Sequence, residues 1–115
     1  MESAVAELED LLKKTYKVSV KDKAGNNPEL VYAYRTRKML KVALAIACGA
    51  AARKESRGAH FKPEFPNRDD EHFLKTTLVR MNPETCEPEI SYIDFDHSLV
   101  KPRPRRYDVT KGGKK

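Results

Sequence analysis

Apolar residues return every three or four positions early in this chain, merge into an unbroken run near its middle, and then give way to two short β-prone stretches. From Glu2 to Lys17 the recurring positions are Val5, Leu8, Leu12 and Tyr16, with Leu11 widening the stripe, which predicts an amphipathic helix. Acids gather in its first turns, and Lys13, Lys14 and Lys17 near its end, the order a helix dipole favours. The polar stretch from Ser19 to Asn27 interrupts it. Asn27 suits an N-cap, Pro28 the first helical position and Glu29 the first turn, so a second helix is predicted from Pro28 to about Arg57. Its first half is one-sided, with Leu30, Tyr34 and Leu40 set against Arg35, Arg37, Lys38 and Lys41. From Val42 onward it is apolar all round, more than a two-helix pair could cover. Ala43, Ala45, Ala47, Gly49, Ala50 and Ala51 are small enough for another element to approach closely. That element is expected from outside the chain or from its own tail.

Gly58, Pro63 and Pro66 end the long helix. Asn67 is expected to cap a short third helix, Arg68 to about Lys75, with Asp69, Asp70 and Glu71 in its first turn. Asp70 follows Asn67 at the spacing of a capping box. Two extended runs, roughly Thr76 to Met81 and Glu89 to Phe95, flank the turn-forming residues Asn82 to Pro88 and predict a small hairpin. Beyond Ser98 the chain reads as extended, with Pro102 and Pro104 barring helix. The expected fold is mainly α: an antiparallel helical bundle of two long helices plus a short third, a small β-hairpin, and an extended C-terminal tail. Residues 1–100 form the helical module with its hairpin and residues 101–115 the basic tail.

At 115 residues there is room for one domain, and with 39% hydrophobic against 35% charged residues its core must be modest. The net charge of +6 favours acidic partners without identifying one. Much of the excess lies in Lys101 to Lys115, where Asp108 is the one acid, whereas Pro83 to Asp96 carries acids and no Lys or Arg. Cys48 and Cys86 make neither a disulfide framework nor a zinc motif, and a reducing compartment is the default. The longest apolar run, Val42 to Ala52, falls well short of the roughly 20 residues a bilayer crossing needs. Glu2, Glu7, Glu9 and Asp10 stand where a signal peptide would be basic and then apolar.

Candidate chemistry is sparse. Asp69 and His72 share a helix face, but a hard-cation site needs more oxygens; helix N-terminal acids are the simpler reading, and loop polarity the simpler one for Asp94, Asp96 and His97. His60, at the end of the apolar helix, reads as a hydrogen-bonding residue. The run Lys101 to Tyr107 raises nucleic-acid binding as an alternative function, yet no zinc knuckle, aromatic sheet pattern or basic recognition helix accompanies it. Gly25, Gly49, Gly58, Gly112 and Gly113 form no dinucleotide fingerprint, so no basis exists for binding FAD or NAD here. No catalytic, cofactor-binding or metal residue is assigned.

Glu55-Ser56-Arg57-Gly58-Ala59-His60, then Phe65-Pro66-Asn67-Arg68-Asp69-Asp70 and Phe73-Leu74-Lys75-Thr76-Thr77-Leu78, resemble the C-terminal signature of the succinate dehydrogenase and fumarate reductase flavoproteins. L-aspartate oxidase is a more distant relative with a similar Ser-Arg-Gly stretch. Upstream, Asn27-Pro28-Glu29-Leu30 and Met39-Leu40-Lys41-Val42-Ala43-Leu44 fit the same order, so the resemblance runs roughly from Val5 to Tyr107. Phe73 stands where that family more often has Trp. The resemblance implies a parent subunit that binds FAD, interconverts succinate and fumarate, and exchanges electrons with a quinone through an iron–sulfur subunit. It would be cytoplasmic and peripheral to the membrane as part of a respiratory complex. The flavin-binding and substrate-binding residues of such proteins lie upstream of this segment, and the family's C-terminal domain begins with a helix missing here. Met1 is therefore expected to be an added start on an excised domain, inactive alone. Leu44, Ala47, Ala51, Arg57 and His60 are expected to pack on the upstream FAD-binding and capping domains. No nucleic-acid partner and no direct membrane span are expected.

Overall fold

The computed structural model describes residues 1–21 and 25–103. The elements are α1 (Glu2–Thr15), α2 (Pro28–Ala52), α3 (Asp70–Phe73), β1 (Thr76–Met81) and β2 (Pro88–Ile93). The described chain is thus mainly helical with a small antiparallel sheet. The expected basic tail lies outside the described residues from 104 onward.

α1 keeps Glu2 in its first turn and Lys13 and Lys14 in its last, and Lys14 pairs with Asp10 one turn back at 2.6 Å. Its inward stripe ends on Thr15, where Tyr16 was expected. Leu12 and Thr15 are buried, whereas Leu11 and Tyr16 are exposed. Thr15 Oγ1 donates to the Leu12 carbonyl at 2.6 Å, which satisfies the hydroxyl as it is buried. Tyr16 stays outside, its ring under the Arg37 guanidinium 4.3 Å away, while Arg37 Nη2 donates to the Thr15 carbonyl at 3.1 Å. One arginine of α2 thereby fixes where α1 stops.

α2 starts as the sequence predicts. Asn27 is extended, and its side-chain oxygen accepts from the Glu29 amide at 2.8 Å, with Pro28 at the head of the helix. The helix ends at Ala52 and does not reach Arg57, because Arg53 turns to φ −78°, ψ 119°. Its last carbonyls are taken by a side chain from beyond the helix. Lys62 Nζ donates to the carbonyls of Ala50 (3.2 Å), Ala51 (2.8 Å) and Arg53 (2.8 Å). An ammonium there also meets the negative end of the helix dipole.

The hairpin pairs Thr76 with Ile93 through Met81 with Pro88. Across its turn the Asn82 carboxamide oxygen accepts from the amides of Glu84 and Thr85, and Cys86 takes φ 59°. On β1, Thr77, Val79 and Met81 are half-buried and alternate with exposed Thr76, Leu78 and Arg80. The half-buried set faces α2 at Gly49, where an added Cβ would lie 3.0 Å from Val79 Cγ2 and 3.7 Å from Thr77 Cγ2. The neighbour that the small residues of α2 admit on this side is therefore the chain's own hairpin, whereas the sequence pointed to an outside element or the tail.

The short third helix is capped by Asp69, two residues later than expected. Asp69 Oδ1 accepts from the amides of Glu71 (3.1 Å) and His72 (3.0 Å). Asn67 and Asp70 form no capping box: the Asn67 carbonyl accepts from the Ser56 amide, and Asp70 turns to Arg57 and Arg68. Among the described residues the buried hydrophobic side chains are Leu12, 7% exposed, and Leu44, 2% exposed. The core is thin for the chain's size.

Candidate functional site

The segment following α2 alternates Arg53, Glu55 and Arg57, and in an extended stretch residues two apart share a side. Their charges close on one another. Glu55 is wholly buried and receives both Nε (3.1 Å) and Nη2 (2.6 Å) of Arg53 on Oε1. Arg57 adds Nε to Oε1 at 2.8 Å and Nη2 to Oε2 at 2.9 Å, and the Asp69 amide donates to Oε2 at 2.9 Å. Burial by itself would raise the Glu55 carboxyl. The hydrogen bonds from Arg57 and Arg53 outweigh it and hold the group below its ordinary value.

The arginines carry the network on to α3 at both its ends and to β1. Arg53 also donates to the carbonyls of Phe73 and Lys75 and to Thr77 Oγ1, reaching α3 and the first residues of β1. Arg57 bonds the Asp69 carbonyl at 3.1 Å and Asp70 Oδ1 at 2.8 Å; Arg68 takes Asp70 Oδ2 at 2.6 Å and the Arg103 carbonyl at 2.9 Å. Between them, Arg57 and His60 exchange backbone hydrogen bonds of 2.9 and 3.0 Å across a tight turn whose Gly58 has φ 61°, a conformation that favours glycine. The Ser56 hydroxyl accepts from the Lys62 amide at 2.9 Å and reaches the Phe65 carbonyl at 2.7 Å, closing the loop on the lysine that caps α2.

Chemically the cluster is saturated. A carboxylate ringed by two guanidiniums and an amide is kept charged, and has no lone pair aimed at solvent with which to take a proton from a substrate. What it can do is join the end of α2, the following loop, α3 and the sheet into one rigid surface. Arg57 spends its charge-assisted hydrogen bonds on Glu55 and Asp70 within this chain. His60 sits beside it through the backbone bridge, and its Nε2 is buried with no hydrogen-bond partner among the described residues.

The other expected packing residues divide. Ala47 and Ala51 are half-buried along α2. Leu44 faces inward and is sealed by the chain's own elements, so it has no surface left to offer a neighbour. The exposed apolar residues of the helix are instead Met39, Val42 and Ile46, at 69, 60 and 67% exposure, on one face at spacings of three and four. Sequence reading also missed Arg53, Glu55 and Lys62; the Arg-x-Glu-x-Arg alternation was the available signal for the first two. Elsewhere, Asp69 Oδ2 lies 3.0 Å from His72 Nδ1, and Asp96 accepts from the Ser98 amide. Among the described residues no group of three His, Cys, Asp or Glu is arranged to hold a metal, and no helix is long and apolar enough to cross a membrane.

A family model described as fumarate reductase flavoprotein C-term matches residues 1–107. The fumarate reductase flavoprotein subunit of Helicobacter pylori is 47% identical over 98 residues, covering 84% of this chain and 14% of that protein. The succinate dehydrogenase flavoprotein subunit of Bacillus subtilis is 36% identical over 108 residues, covering 93% of this chain and 18% of the relative. A solved structure of a FrdA mutant of E. coli quinol fumarate reductase superposes with a TM-score of 0.83 at 30% identity, over 90% of this chain and 18% of that one. The chain thus spans less than a fifth of the length of these relatives.

Proposed function

Because the chain belongs to the fumarate reductase flavoprotein C-terminal family, we propose that it serves as the packing module of a succinate- or fumarate-converting flavoprotein subunit. In this role it seats the upstream FAD-binding and capping domains and takes no part in the chemistry. The single observation carrying this reading is the mismatch between a core of two well-buried leucines and the exposed Met39, Val42 and Ile46 on the longest helix. A self-sufficient domain of this size buries most of its large aliphatic side chains. Here the helix keeps a face for something else.

The contact surface follows from the geometry. Met39, Val42 and Ile46 offer the apolar contact, Ala47 and Ala51 stay half-buried further round the helix, and Arg57 and His60 lie beyond its end on the rigid loop. His60 is half-buried there, so part of its ring stays open to an adjoining domain. The finer architecture, an antiparallel bundle, is supported by Arg37 of α2 on the last residue of α1, and by the charge of Glu9 acting on Cys48 further along α2.

FAD, which the family implies for the parent subunit, does not fit these residues. The described sheet is a two-stranded antiparallel hairpin, and α2 opens on Asn-Pro-Glu, which offers an acid where a phosphate would need glycine amides. Flavin binding, hydride exchange with the dicarboxylate, electron transfer through an iron–sulfur subunit and a peripheral cytoplasmic location belong, on this proposal, to the whole assembly. The alternative of a free-standing nucleic-acid-binding module is unsupported by the relatives found.

The test is Ile46→Asp in the full-length subunit, read by flavin content and succinate–fumarate turnover, beside the same change in the isolated chain, read by thermal unfolding. Flavin content is expected to fall several-fold in the subunit while the isolated chain melts as before. Full flavin loading in the variant subunit would remove the basis for the reading.

A further inference from the structure

At the opposite end of α2 from the ion network, Thr15 of α1, the link residues Val18, Val20, Gly25 and Asn27, and the first turns of α2 line an open-sided cavity of about 420 Å³. It falls within the roughly 300–1,000 Å³ span of small-ligand pockets. Its apolar wall is Val18, Val20, Leu30 and Ala33; its polar edge includes Thr15, Tyr34 and Arg37, and none of its described lining residues is acidic. Arg37 is fixed there by the Tyr16 ring 4.3 Å from its guanidinium carbon and by the bond from Nη2 to the Thr15 carbonyl. Its Nε is nevertheless buried with no hydrogen-bond partner among the described residues. A guanidinium presents a planar fork that matches a carboxylate bidentately. One that lines a cavity beside an apolar wall, and makes no ion pair among the described residues, lacks the acceptor its geometry suits.

We propose that this cavity is a binding site for a small carboxylic acid carried on an apolar body, the carboxylate on Arg37 and the body against Val18, Leu30 and Ala33. A lone phosphate fits less well, since a single guanidinium balances only part of its charge and the aliphatic wall gives it nothing to bind. The site is lined by none of Met39, Val42 and Ile46 and stands whether or not the domain-packing reading does.

Sodium octanoate, below its micelle concentration, is the probe, titrated into the isotope-labelled chain and followed by backbone amide shifts. Saturable shifts are expected at Val18, Ala33 and Arg37, with octylammonium producing none there and acetate binding far more weakly. Arg37→Gln should weaken octanoate by about tenfold or more, the usual scale for one charge-assisted hydrogen bond. Because Arg37 also holds the end of α1, Ala33→Glu is the second variant: it places a carboxylate on the cavity wall at an ordinary helical position and should abolish binding with the remaining spectrum unchanged. Equal response to octylammonium, shifts centred on Met39, Val42 and Ile46, or unaltered affinity in Arg37→Gln each overturn the proposal. The unmodified chain with the three probes decides the question even where a variant fails to fold.

Discussion

Glu55 would be an unlikely side chain to bury alone, since an isolated carboxylate in a protein interior costs several kcal/mol. It is tolerated because the two arginines that flank it and an amide from a second stretch of chain all reach it. Replacing it with Gln keeps the shape and removes the charge, leaving both guanidiniums short of their counterion. Because Arg53 and Arg57 keep some solvent contact, the expected loss is on the order of 2–3 kcal/mol, below the roughly 3–5 kcal/mol for a fully buried pair. Urea unfolding at pH 7 measures it. The pH dependence has a definite sign. The folded Glu55 carboxyl titrates below its ordinary value of 4.5, so its stabilisation is complete above that value and is lost as pH falls through the lowered one. Asp70 is lowered too: burial opposes, but Arg57 and Arg68 prevail. The chain is therefore expected to lose stability steeply below about pH 4, and Glu55→Gln to flatten that acid limb in a stability-versus-pH profile. Lys62 is the other decisive residue. Lys62→Met preserves the stem and strips three carbonyls at the end of α2 of their donor, an expected cost of about 1.5–3 kcal/mol in the same unfolding assay.

At the scale of elements, α2 is the axis on which the others are placed. α1 lies along it, the hairpin rests on it at Gly49, and the loop beyond it folds back so that Lys62 can finish it. Gly in a helix interior ordinarily costs about 1 kcal/mol relative to Ala. Gly49 is retained because β1 comes so near, with Val79 Cγ2 only 3.0 Å from where a Cβ would sit. Gly49→Val should push β1 outward and cost about 1–3 kcal/mol through overpacking, seen as a lower melting temperature and faster amide exchange in the hairpin. Unchanged exchange along Thr76–Met81 would mean the strand does not depend on this contact. The hairpin needs it: an isolated two-stranded sheet is marginal in water.

Over the whole molecule, the radius of gyration is 19.7 Å, against about 13 Å for a compact domain of this length. Such an outline leaves much surface for little core. Two substitutions two residues apart, on opposite sides of α2, separate the chain's own stability from its role in a larger protein. Leu44→Asp puts an unpaired charge at the 2%-exposed centre of the core and is expected to cost more than about 4 kcal/mol, enough to unfold the isolated chain in a circular dichroism melt. Ile46→Asp, at 67% exposure, should change that melt by no more than about 0.5 kcal/mol and act only where the rest of the subunit is present. The same outcome for both would mean that α2 has no face reserved for a neighbour.

The sequence by itself determined the element types and a few of their edges: the Asn27 cap, the amphipathic first helix, the hairpin about Asn82, and the motifs that place the chain in its family. These are local properties, carried by side chains acting on backbone a few residues away. Tertiary structure decided the rest. It buried Thr15 and left Tyr16 outside, because Arg37, distant in sequence, takes the Thr15 carbonyl. It stopped α2 at Ala52, since Lys62 could reach the freed carbonyls only from a chain that had turned back on the helix. It also turned Leu44 into the core and Ile46 out of it. A run that is apolar on all sides carries no periodic signal to say which face is covered first, and that choice is made only when α1 and the hairpin arrive.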